Sequence, residues 1–185
     1  DYLDKEYLSK YDDLEIDSTV HPQPAFDVPV DTDAKYSVNS DDDTADKSYL
    51  SMNYSIGKYD DMELISAFSI LDYALLSSPG APLERALHDA GIGEDISGGF
   101  DSGTIQPVFS IIAKNTDLNR KKEFENVISD TLRTVVKNGI DKNVLLAGIE
   151  INKFRFLESD FGSFPKGLIY GLGILATWLY DKNMP

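Results

Sequence analysis

Two histidines, thirty-two carboxylates and no cysteine make up the acid–base and metal-binding chemistry open to this 185-residue chain. A hydrolytic zinc site gathers two or three imidazoles or carboxylates at one point, and its usual motifs place two of them on one helical turn. Neither HExxH nor its inverse HxxEH occurs. His88 is followed by Asp89-Ala90-Gly91-Ile92, and His21 sits among prolines. A calcium loop read from Asp41 has Asp46 where the sixth-place glycine belongs and Met52 where the twelfth-place glutamate belongs. Gly91-Ile92-Gly93 and Gly98-Gly99 do not stand between a strand and a helix at phosphate-loop spacing. The nucleophile elbow GxSxG is absent. So many acids produce accidental carboxylate pairs, and spacing singles out none of them. The expectation is a chain with no catalytic residue, no metal and no cofactor of its own.

Charge narrows the partners. Seventeen basic residues against 32 acidic ones give a net charge of −15. Such a surface repels phosphate backbones and anionic lipid, so neither nucleic acid nor membrane is expected as a partner. Residues 1–47 hold 14 acids and 4 bases, so most of the excess is N-terminal. No apolar run marks a signal peptide in the first ten residues. The apolar stretch Gly167–Tyr180 has 14 residues and three glycines, short of a membrane span of about 20. A cytoplasmic location is the resulting expectation. The chain opens on Asp1 rather than methionine, as a piece of a longer protein would.

The elements that must position any site follow from periodicity. Tyr2, Leu3, Tyr7, Leu8 and Tyr11 suit the end of a helix, and Asp12–Asp31 is an acidic linker with Pro22, Pro24 and Pro29. Residues 1–31 are therefore set apart from one domain over 32–185. Lys35–Asn39 reads as a short strand and Asp41–Asp46 as an acidic turn. Ser48–Ile56 alternates apolar and polar residues, a half-buried strand that Gly57 ends. Asp60 or Asp61 caps a helix whose stripe runs from Leu64 to Leu76, with Asp72 the only charge between Glu63 and Glu84. Pro82 opens a second helix, Leu83–Ala90, and Gly91 closes it. Glu94–Gly103 is glycine-rich and ambiguous. Val108–Ala113 is nearly all apolar, which predicts a strand buried on both faces. Helices follow over about Asp117–Asn138, Asp141–Glu158 and, broken by Pro165 and glycines, Gly162–Tyr180. Strands and helices that do not alternate singly favour an α+β two-layer sandwich, a mixed or antiparallel sheet covered by helices.

Two separated stretches carry a resemblance. Pro79-Gly80-Ala81-Pro82-Leu83-Glu84-Arg85-Ala86-Leu87 with Gly91-Ile92-Gly93-Glu94-Asp95-Ile96 is one, and the run from Phe154 to Leu168, FRFLESDFGSFPKGL, is the other. Both resemble segments of the presequence-protease branch of the insulinase-like (pitrilysin-type) zinc metallopeptidases, in matching order and spacing. The likeness extends over about Ser48–Lys182 and more loosely over the linker. It implies the processing-peptidase-like fold and the second, non-catalytic domain of such an enzyme. In that family the first domain holds zinc through HxxEH, and zinc-activated water attacks the peptide bond with glutamate as general base. No catalytic residue carries over to this chain.

The resemblance also implies partners: neighbouring domains of the same polypeptide and the parent's peptide substrate. Related processing peptidases bear a glycine-rich loop, and Ser77–Pro82 looks like a shorter counterpart. Ser78 and Gly80 are accordingly candidate substrate contacts, and Gly98, Gly99 and Phe100 are candidates for the chamber wall. An alternative is a self-standing acidic protein-binding or regulatory module on the same fold. An excised domain is also expected to self-associate through a face its neighbour would cover.

Overall fold

A computed structural model describes residues 1–180 except 13, 18, 42, 43, 160 and 179. The element order is α1 (Tyr2–Glu6), β1 (Ser48–Ser55), α2 (Met62–Asp72), α3 (Pro82–Asp89), β2 (Asp95–Asp101), β3 (Val108–Thr116), α4 (Lys121–Asn138), α5 (Lys142–Leu157) and α6 (Lys166–Trp178). The three strands form an antiparallel sheet in the order β1-β3-β2. Helices cover one face of it, giving the α+β two-layer arrangement.

The core sits between these layers. Leu50, Phe109, Ile111 and Ala113 from the sheet meet Leu75, Leu76, Leu83, Leu87, Phe124 and Ile128 from the helices. Leu83, Leu87, Ile92, Ile111 and Ile128 have no exposure at all. Burying one such side chain contributes roughly 1.5–3 kcal/mol before entropy is subtracted. The helices begin where short acids can accept backbone N–H groups: Asp61 accepts from Leu64 at 3.0 Å and Asp141 from Asn143 at 2.6 Å. Gly139 closes α4 at φ +77°, a conformation that glycine adopts without strain.

Several expectations are corrected. β3 is not buried on both faces: Phe109, Ile111 and Ala113 point into the core, while Val108, Ser110, Ile112 and Lys114 stay half-exposed. The reason is the single helical layer: among the described residues no helix packs on the other side of the sheet. Lys35–Asn39 does not form a strand of the sheet. Tyr36 instead stacks on Tyr49 at 5.4 Å and donates its hydroxyl to the Lys47 carbonyl. Residues 1–11 hold only one helical turn and a half before a tight 3-10 turn at Leu8–Lys10. The stripe from Leu64 to Leu76 is not one α-helix. After Asp72 the chain widens into a π-turn, Tyr73–Ser77, which inserts an extra residue and buries Ala74, Leu75 and Leu76 together. The ambiguous Glu94–Gly103 segment is strand β2. Part of the Asp41–Asp46 turn lies outside the described residues.

Among the described residues one helical run, Met62–Asp89, is long and apolar enough for a membrane span. The turn at Ser78-Pro79-Gly80 interrupts it, and Leu75, Leu76, Leu83 and Leu87 are occupied in the protein core.

Candidate functional site

The stretch from Gln23 to Tyr36 is fastened to the rest of the fold at three points among the described residues. Gln23 and Gln106 exchange two hydrogen bonds, the Gln23 N–H donating to the Gln106 side chain at 2.7 Å and the Gln106 amide returning to the Gln23 carbonyl at 3.1 Å. Lys121 at the start of α4 pairs with Asp31, and the Tyr36–Tyr49 stack completes the set. Beside that stack lies a shallow, open hollow of about 650 Å³, lined by Tyr36, Val38, Lys47, Tyr49 and Asn115 among others.

The face of the sheet away from the helices is mixed, with Val108 and Ile112 of β3 half-exposed on it beside polar residues. Tyr49, Ser51, Asn53 and Ser55 of β1 are exposed there, and Ser110 of β3 donates to the Asn53 side chain at 2.7 Å. β2 forms one border of the sheet and has no partner on its outer side among the described residues. It brings Gly98, Gly99 and Phe100 together. Gly98 lies opposite Ile111 at φ +149°, and a Cβ there would sit 2.1 Å from the Ser110 carbonyl oxygen. Only glycine lets the two strands approach so closely. Phe100 turns inward and packs on Phe68 at 5.5 Å.

Ser78 and Gly80 occupy a different element, the turn before α3. Ser78 is buried, and its carbonyl accepts from Ala81 N–H at 2.9 Å. Gly80 is exposed at φ +72° with nothing within 4 Å of its missing Cβ.

Asp72 belongs beside β2. Its Oδ1 is buried without a hydrogen-bond partner and would lie 3.8 Å from a Cβ on Gly99. Burial raises its carboxyl above the ordinary range, and Arg155 opposes that rise. Sequence had marked Asp72 as a lone charge in an apolar helix; its place beside the glycine pair of β2 needed the tertiary fold. Arg120 is a second residue that spacing could not find. It donates to the Ala90 carbonyl at 2.7 Å and to the Gly91 carbonyl, closing α3, and to Glu123 at 2.9 Å. That joins the end of α3 to the start of α4.

The family's zinc does not fit these residues. His88 is exposed on α3, with Glu84 one turn before it, and His21 lies far along the linker sequence. Among the described residues no three ligand-type side chains gather.

A family model described as the peptidase M16 inactive domain matches residues 1–151. Protein HypA of Clostridium perfringens is 42% identical over 183 residues, covering 99% of this chain and 19% of that protein. Presequence protease 1, chloroplastic/mitochondrial, of Arabidopsis thaliana is 31% identical over 168 residues, 90% of this chain and 16% of the relative. The mitochondrial presequence protease of Danio rerio is 26% identical, covering 98% and 18% respectively. The chain thus spans less than a fifth of the length of these curated relatives. In solved structures it resembles the inactive peptidase domain of a proposed zinc protease from Bordetella parapertussis. That likeness has a TM-score of 0.58 and 9% identity, over 70% of this chain and 68% of the other. At such identity it speaks for the fold alone.

Proposed function

Because the chain belongs to the peptidase M16 inactive-domain family, we propose that it is the supporting domain of a longer, zinc-dependent peptidase. Its work is structural: it helps wall the chamber in which another domain cuts peptides. The observation that carries this reading is the family match over residues 1–151. The absence of a ligand set around His21 or His88 among the described residues accords with it. Zinc and the general base would come from a domain outside these 185 residues.

Within this proposal, the parent's peptide substrate meets the domain at β2. An extended peptide can add to a strand whose outer backbone groups are free, through main-chain hydrogen bonds. Gly98 and Gly99 keep that border thin, and Phe100 anchors it from within. Gly80 offers an exposed second contact at the α3 turn, with Ser78 holding the turn from inside.

Metal analysis paired with a peptidase assay tests the reading. The 185-residue chain is expected to bind no stoichiometric zinc and to leave unstructured peptides intact. The longer protein is expected to bind zinc and to cleave those peptides. Zinc-dependent cleavage by the short chain alone would overturn the proposal, and so would inactivity of the longer protein.

A further inference from the structure

Helix α6 carries a single charge, Lys166, at its first position. A helix that is apolar all round belongs in an interior. Here Leu168, Leu172 and Leu175, spaced to share one face, are 48%, 53% and 52% exposed. Phe154, Phe156 and Leu157 at the end of α5 are more exposed still. Tyr170 ties the two helices together, packing on Phe156 and Phe161 at 6.0 and 5.7 Å and donating to the Phe156 carbonyl at 3.2 Å. The result is a joined apolar surface of a kind monomers seldom leave in water.

The glycines of α6 point the same way. A Cβ on Gly167, Gly171 or Gly173 would meet nothing within 4 Å, and none of the three has a positive φ. Each costs a helix about 1 kcal/mol relative to alanine. Neither the backbone conformation nor any described neighbour requires them. Close approach of another backbone would.

Three kinds of occupant could cover such a surface. A second copy would bring another net charge of −15 against the first. A bilayer would face the same acidic surface, and the 13 residues of α6 reach only about 20 Å against a hydrocarbon core of about 30 Å. The relatives, by contrast, are more than five times as long as this chain. The family model ends at residue 151, ahead of Phe154, Phe156, Leu157 and the exposed leucines of α6.

We propose that the α5–α6 surface seats a further apolar helix of the same polypeptide, outside these 185 residues. This rests on the reading of the chain as one domain of a longer protein, and not on that protein's chemistry.

The chain has no cysteine, so introduced thiols report on it cleanly. In the longer protein, Leu172→Cys and Leu168→Cys are compared with Val136→Cys, which sits 85% exposed on α4. Any other thiols of the longer protein are subtracted with the unsubstituted protein. Alkylation by N-ethylmaleimide at positions 172 and 168 is expected to be about tenfold slower or more than at 136, independent of protein concentration. Equal rates at all three positions would overturn the proposal. So would protection that vanishes on dilution, which would mean a second copy, or protection that appears only with phosphatidylglycerol vesicles. A longer protein that protects these thiols but cleaves nothing would sink the peptidase reading and leave this inference standing; cleavage without protection would do the reverse.

Discussion

At the scale of single residues, Gly98 is the position with least room. Alanine there would need both a forbidden backbone angle and a contact 2.1 Å from a carbonyl oxygen of the neighbouring strand. Gly98→Ala should cost roughly 1–3 kcal/mol, read as a lower urea midpoint. Gly80→Ala, with open space around it, should cost less. A Gly98→Ala midpoint equal to the parent's would refute the close approach. Asp72 allows a different test. Its carboxyl is raised by burial, so the folded chain holds that proton more tightly than the unfolded chain does. The charged form therefore weakens the fold at pH above the raised value, and the penalty fades as pH falls below the ordinary carboxylate range. Asp72→Asn should stabilise the chain at neutral pH, with the gain shrinking toward about pH 3. A gain that stays constant across that range would mean Asp72 is not perturbed by the fold.

At the scale of elements, the α3–α4 joint depends on one side chain. Arg120→Ala would leave the Ala90 and Gly91 carbonyls without their guanidinium donor. A loss of about 1–3 kcal/mol is expected, with Arg120→Lys recovering only part because an ammonium lacks the fork that reaches both oxygens. Full recovery by lysine would show that charge alone matters there. What was legible at this scale follows local pattern. β1 announced itself through strict alternation, and α4 through its spacing and Gly139. β2 did not, because Ser97-Gly98-Gly99 lacks the branched and aromatic residues that mark strands; its pairing with β3 supplies what its own sequence does not. Val108–Ala113 misled for the opposite reason. Its apolar run is real, but burial depends on whether helices cover one face or two, which no single strand encodes. The π-turn after Asp72 was equally hidden, since Leu75 and Leu76 fit either helical period. Of the candidate site, the glycines of β2 were visible as residues, while their nearness to Asp72 was a product of packing.

For the whole molecule, net charge and uncovered apolar surface act against each other. In isolation the chain should associate weakly through α6, more so as salt screens its acidic surface. Sedimentation velocity at rising concentration and ionic strength measures this, and Leu172→Lys should suppress it. A strictly monomeric profile under all conditions would count against the surface described above.

The strand order has a consequence in time. β2 and β3 are neighbours in sequence and can pair as soon as both exist. β1 cannot: its partner is β3, and Ser55 leads Thr116 by about 60 residues. At a synthesis rate of about 5–20 residues per second, β1 waits roughly 3–12 s with Leu50, Met52 and Tyr54 unburied. The strand that was easiest to read is thus the one that is longest without a partner as the chain is made. The acids just ahead of it, Asp41, Asp42, Asp43 and Asp46, keep charge beside that waiting strand, where other nascent chains would otherwise find it.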